Sequence, residues 1–310
     1  MDKRRGSKSS IYKALALICL AICVVCLVWL AVRYVNNVRA ENHVNDIREQ
    51  YSNESLGSDP AENNDPENSS SQGSLKGDAS GESQPETDGD GSLQDEERPG
   101  LPGLEEYDVP ELNVDIKAVQ ENENPDVYAW LIVPGTKVDY PVLQHPDQPD
   151  YYLNHNLDGS TGHPACLYTQ LYNSTDWQDK HTIIYGHNLS NGTMFASLHN
   201  YGDAQFFEEH PYMYIYTEDD RVLVYQIFAA YEFDDRHLLG CFDISTDAKY
   251  EDYLNSIWEN EGLTSNFNKE CELNADSKIL TLSTCMLSTV RTTRRWLVQG
   301  VLVAEGEWEH

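Results

Sequence analysis

The chain has 310 residues, with 52 acidic against 21 basic side chains and a formal net charge of −31. A polyanion would be repelled by such a chain before any base contact formed, which excludes nucleic acid as a partner. Of its seven cysteines, the four beyond the N-terminal apolar run (Cys166, Cys241, Cys271 and Cys285) include no CxxC pair, and its ten histidines no HExxH, so no metal site and no other cofactor is expected.

The first thirteen residues, MDKRRGSKSSIYK, form a basic tail, and residues 14–32 follow without a single charge. As a helix this apolar run rises about 28 Å, enough to cross a hydrocarbon core of roughly 30 Å. The next residues, RYVNNVRAENH, offer only a weak cleavage position at Ala40, so the run reads as a retained single-pass anchor in the cell membrane. Lys3, Arg4, Arg5, Lys8 and Lys13 outnumber Arg33 and Arg39, which puts the N-terminus in the cytoplasm and the body of the protein outside. Cys19, Cys23 and Cys26 belong to this anchor. Residues 41–106 carry 18 acids against three basic residues and almost nothing apolar. Such a segment cannot offset its own ordering entropy, so it is expected to be a disordered acidic tether.

Residues 107–310 are of single-domain size. Leu112, Ile116 and Val119 fall on one helical face, and Asn124 before Pro125 fits a cap and first-turn pair. Short β-rich runs follow: AWLIV, VDYPVL, ACLYT, HTIIYG, YMYIYT, RVLVYQIFAAYEF, KILTLST and RWLVQGVLVAE, separated by Pro, Gly, Asn and Asp. This spacing predicts an antiparallel barrel. One helix interrupts the strands, in TDAKYEDYLNSIWENEG, where Tyr250, Tyr253, Leu254, Ile257 and Trp258 share a face. Its connection runs on to the strand that ends at Cys285. The helix and its loop through Asn268 are therefore expected to wall a groove beside that cysteine.

In KILTLSTC, strand alternation projects Ser283 and Cys285 on one face at the strand's end. A nucleophilic thiol must ionise, and cationic neighbours such as Arg294 and Arg295 favour that. His187, in HTIIYGHN at the end of a buried β-run, is the histidine best placed to act as proton partner. On these residues alone, a buried free cysteine and a structural histidine remain open readings.

The combination of TLSTC, an arginine ten residues on that opens RWLVQGVLV, and YGHN about a hundred residues upstream resembles the sortase family. The segments NPDVYAWLIVPGTKVDYPVLQ, DYYLNHNLDG and YGHNLSNGTMFASL, with the helix before the last two strands, are similar to class B sortases in particular. The resemblance implies a mainly β fold: an eight-stranded β-barrel with N-terminal helices and a helix inserted before the last two strands. It also implies a Gram-positive cell-surface cysteine transpeptidase that cleaves a C-terminal sorting signal after Thr and passes the acyl group to an amine. Cys285 would be the nucleophile, His187 the general acid and base, and Arg295, rather than Arg294, the oxyanion partner. Ser283, Tyr185 and Leu153 match positions that line the substrate groove. The implied partners are surface proteins bearing a C-terminal sorting signal and a cell-wall precursor peptide amine. A pilus polymerase using a pilin lysine and a catalytically silent binding module are the alternatives. Met286 and Pro149 depart from the class B pattern, where an acidic residue and an asparagine occur, which leaves the sorting motif open.

Overall fold

The computed structural model describes residues 3–52, 101–286 and 293–308. The first helix, α1 (Lys3–Gln50), includes the apolar span Tyr12–Asn36 and continues well beyond it. Residues 41–50, which composition assigns to the tether, are therefore helical; residues 53–100 of that expected tether lie outside the described residues. Val44, Ile47 and Tyr51 recur at i, i+3 and i+7, and this stripe is packed against the domain, with Ile47 and Tyr51 buried. Arg48 reinforces the contact. Its guanidinium lies over the rings of Trp130 and Tyr140 and is 3.3 Å from the Asp139 carboxylate. The Tyr51 hydroxyl donates to Glu123, and the Tyr51 carbonyl accepts from the Asp115 amide at 3.0 Å. Apolar residues this sparse in an acidic run fall below what composition alone can flag.

A short helix, α2 (Ile116–Asn122), begins at Asp115, whose carboxylate accepts from the Ala118 amide. Asn124, predicted as a second cap, makes a turn instead. Its Oδ1 accepts from the Asp126 amide and from the Tyr152 hydroxyl, and its Nδ2 donates to the Leu157 carbonyl. Strands β1 (Val127–Val133), β2 (Val138–Leu143), β3 (Leu167–Tyr168) and β4 (His181–Tyr185) follow, with α3 (Ala204–Glu209) before β5 (Tyr212–Thr217) and β6 (Arg221–Asp234). The chain then forms α4 (Leu238–Cys241), α5 (Asp247–Ile257), β7 (Asn266–Phe267), β8 (Ile279–Cys285) and β9 (Arg294–Glu307).

The sheet order is β5-β1-β2-β3-β4-β8-β9-β6, and pairing of β5 with β6 closes it into an eight-stranded barrel; β7 only extends β6. The barrel is mixed rather than antiparallel, because β2–β3 and β4–β8 are parallel. Long connections make these parallel contacts possible, and alternation of apolar residues along one strand does not report its neighbour's direction.

Alternation does decide which side chains face inward. Ile184, Leu280, Leu282, Trp296 and Val298 point into the barrel core. Ile183, Ile279, Leu297 and Val301 point outward, where α5 covers them with Tyr250, Tyr253, Leu254 and Ile257. A polar cluster is sealed beneath the same helix. Gln299 donates to Thr281 Oγ1 and to the Tyr253 hydroxyl, the Tyr231 hydroxyl donates to Gln299 Oε1, and the Thr281 hydroxyl is 2.7 Å from His181 Nε2.

Trp258 caps α5 half-buried, edge-on to Phe228 and Phe267. Trp258→Ala is therefore expected to cost about 1–3 kcal/mol, below the roughly 3–5 kcal/mol of a fully enclosed tryptophan such as Trp296. Denaturant melts of the two variants side by side check the order; equal losses would refute it.

Candidate active site

The parallel pairing of β4 with β8 brings the two motifs together. Tyr185 pairs with Ser283, and His187 follows two residues on, just past the end of β4 and in the same groove as Cys285. On the other side, β8 runs antiparallel to β9 with Cys285 directly opposite Arg295. Two strands and the segment that leaves a third thus bring a thiol, a guanidinium and an imidazole to one groove. All three are odd-numbered positions that share the outward parity of Ser283 and Tyr185. Gly186 is needed for this approach, since a Cβ there would stand 2.5 Å from Leu167 Cδ2 and 2.6 Å from Phe195 Cδ2.

The three residues line one groove of about 220 Å³, and Ser283, Tyr185 and Leu153 line it with them. Cys285 is exposed at its floor. His187 Nε2–H donates to the Leu153 carbonyl at 2.8 Å, which leaves the lone pair of the neutral ring on Nδ1. Burial holds the His187 pKa below the ordinary histidine value, and the Leu153 contact offsets this only in part. The imidazole is therefore neutral at pH 7 and able to accept a proton. Arg294 turns away from the groove, its Nε engaged by the Glu232 carboxylate.

One sequence expectation fails here. Among the described residues, none from α5 or its loop through Asn268 lines the groove. The helix is anchored near the start of β8, where the Tyr250 hydroxyl meets the Lys180 and Ser277 carbonyls, and it adds no residue to the groove although it shares a cluster with Ile183 and Leu297, which do line it. The wall is made instead by the end of β6 and residues 233–238, with Asp150 and Gln170 across from them. His237 Nε2 is 2.6 Å from Gln170 Oε1, and the Gln170 amide donates to Asp150. The run EFDDRH, a knot of charge directly after a long apolar strand, was the available signal for this wall. Cys241 and Cys271 are both free thiols.

Comparison with known proteins gives a consistent answer. The Sortase domain profile matches residues 131–303. Sortase B of Listeria monocytogenes is 35% identical over 184 residues, covering 59% of this chain and 72% of the relative. The X-ray structure of Clostridium perfringens sortase B superposes with a TM-score of 0.54 at 29% identity, over 60% of this chain and 98% of that one. A Staphylococcus aureus sortase B–substrate complex, 24% identical with a TM-score of 0.53 over 61% and 84% of the two chains, shares the fold. The profile spans more than half of the chain, and the chain belongs to the sortase family.

Proposed function

We propose that the chain is a class B cysteine transpeptidase that cleaves a C-terminal sorting signal after Thr and transfers the acyl group to an amine of the cell-wall peptide. The observation that carries this reading is that Cys285 at the end of β8, Arg295 opposite it on β9 and His187 just past the end of β4 line one groove. The Cys285 thiol gives its proton to His187 Nδ1, and the thiolate attacks the threonine carbonyl carbon. The carbonyl electron pair moves to oxygen, where the Arg295 guanidinium meets the developing charge. Collapse breaks the C–N bond, and His187 returns the proton to the leaving amine. A thioester remains on Cys285. An incoming amine then attacks it, giving a proton to His187 as the new amide forms and the thiolate departs.

A substrate peptide as partner is supported by the groove itself and by the S. aureus relative, which was solved as a substrate complex. Retention at the membrane rests on the span Tyr12–Asn36, whose apolar window has no buried residue and is free to meet lipid. With the basic tail inside, the catalytic domain is extracellular.

The test is mass spectrometry of the protein incubated with a panel of sorting peptides, with and without an amine acceptor. A thioacyl adduct on Cys285 that is discharged by the amine is the expected result. No adduct with any peptide, together with no labelling of Cys285 by a thiol probe, would make the domain a silent binding module.

A further inference from the structure

The residue after His187 does something that the transpeptidase reading leaves unassigned. Along the β4–β8 contact the Gly186 amide donates to the Ser283 carbonyl at 3.1 Å. In a parallel ladder the next rung would run from the amide of residue 188 to the carbonyl of residue 285. That rung is made by a side chain instead. Asn188 Nδ2 donates to the Cys285 carbonyl at 2.9 Å, while the backbone at His187 and Asn188 pairs away from the sheet. There the Phe195 amide donates to the His187 carbonyl, and Asn188 bridges Met194.

We infer that Asn188 is a positioning residue: its amide replaces the missing rung, so the chain can peel off β8 to open the groove while Cys285 and His187 stay in register. The surrounding contacts support this. The second Nδ2 proton is taken by His199 Nε2 at 2.9 Å, and the His199 ring is fixed by stacking on Trp296. His199 Nε2 also lies 3.2 Å from the Cys285 carbonyl, and with the ring proton on Nδ1, the tautomer that lets Nε2 accept from Asn188, these two atoms are both acceptors. The amide orientation is set by the same geometry, because the reverse orientation would put Oδ1 against the carbonyl oxygen of Cys285. On the other side of the peptide, the Met286 amide donates to the Arg294 carbonyl at 3.3 Å. The Cys285–Met286 peptide is thus held at both its oxygen and its nitrogen, and Asn188 holds the end that faces His187. No side-chain hydrogen bond links Cys285 to His187 among the described residues, so their alignment depends on the main chain.

The inference rests on the proposed transpeptidase chemistry, and the experiment separates the two. Full-length protein in detergent is compared with Asn188→Ala and Asn188→Asp, the second being the same size but unable to donate. Both are expected to lower kcat for thioacyl formation by about 10- to 100-fold, with KM within threefold and the melting temperature near that of the parent. In a His187→Ala background the further change at Asn188 is expected to do little, because the alignment it serves is already lost. If the parent forms the thioacyl adduct and both Asn188 variants form it with kcat within threefold, the inference is overturned while the transpeptidase reading stands. An Asn188 effect of equal size with and without His187, accompanied by loss of melting temperature, would also overturn it by making the residue merely structural. Failure of the parent to form the adduct would overturn both.

Discussion

In a peptide-cleavage assay Arg295→Lys is expected to lower kcat/KM by roughly 10²–10³-fold, the scale of losing one oxyanion donor. Arg294→Lys is expected to stay within about a factor of two. Both substitutions keep the charge, so the contrast isolates geometry. The guanidinium offers a planar fork that can hold an oxyanion and a neighbouring acceptor together, whereas an ammonium is a mobile point charge. Arg295 faces Cys285 across the β8–β9 ladder and lines the groove, while Arg294 projects to the other side and pairs with Glu232. The ion pair of Arg294 is half-exposed, and such pairs contribute at most about 1 kcal/mol. A reversal of the two effects would sink the assignment of the oxyanion partner.

The second large effect concerns stability against acid. His181 is sealed under α5 and its pKa is pushed down to about 3, chiefly by burial, with the charge of His237 a smaller cause. An unfolded histidine titrates near 6.5. The folded value is the lower one, so the unfolded state takes up the proton first. The contribution is fully present above pH 6.5 and is lost as pH falls from there toward 3. Each pH unit inside that window removes about 1.4 kcal/mol, or roughly 3 kcal/mol between pH 7 and pH 4.5. His187, His199 and His237 are depressed by burial as well and act in the same direction. His181→Asn keeps an acceptor for Thr281 and removes the titration. Denaturant melts of parent and variant at both pH values should therefore differ in their acid loss by roughly 3 kcal/mol. Identical pH slopes would show that His181 is not the buried neutral group described here.

The groove was legible in the sequence to the extent that motifs sit at strand ends. Alternation in KILTLSTC put Ser283 and Cys285 on one face, and the structure has both lining the groove with Tyr185, Leu153, His187 and Arg295. What could not be read was the neighbour relation between strands. The parallel β4–β8 contact, on which the whole site depends, joins segments about a hundred residues apart, and no local pattern encodes it. The same ignorance misplaced α5. Chain connectivity suggested that a helix leading into β8 should lie beside Cys285, but a strand has two ends, and the helix packs at the wrong one. Asn188 was quoted within its motif yet given no role, because a side chain standing in for a backbone amide shows only when the ladder around it is known.

The docking of α1 changes how far the groove can range. A free tether of the expected length would let the domain sample a volume some 45 Å across, diluting the groove among all heights above the bilayer. From Asn36 at the end of the apolar span to the buried Ile47 there are eleven helical residues, a rise of only about 16 Å. With the span in a bilayer, helix length rather than the acidic segment fixes the altitude of the groove. On the proposed function, a substrate or acceptor held at the membrane would then meet it by lateral diffusion within one thin layer.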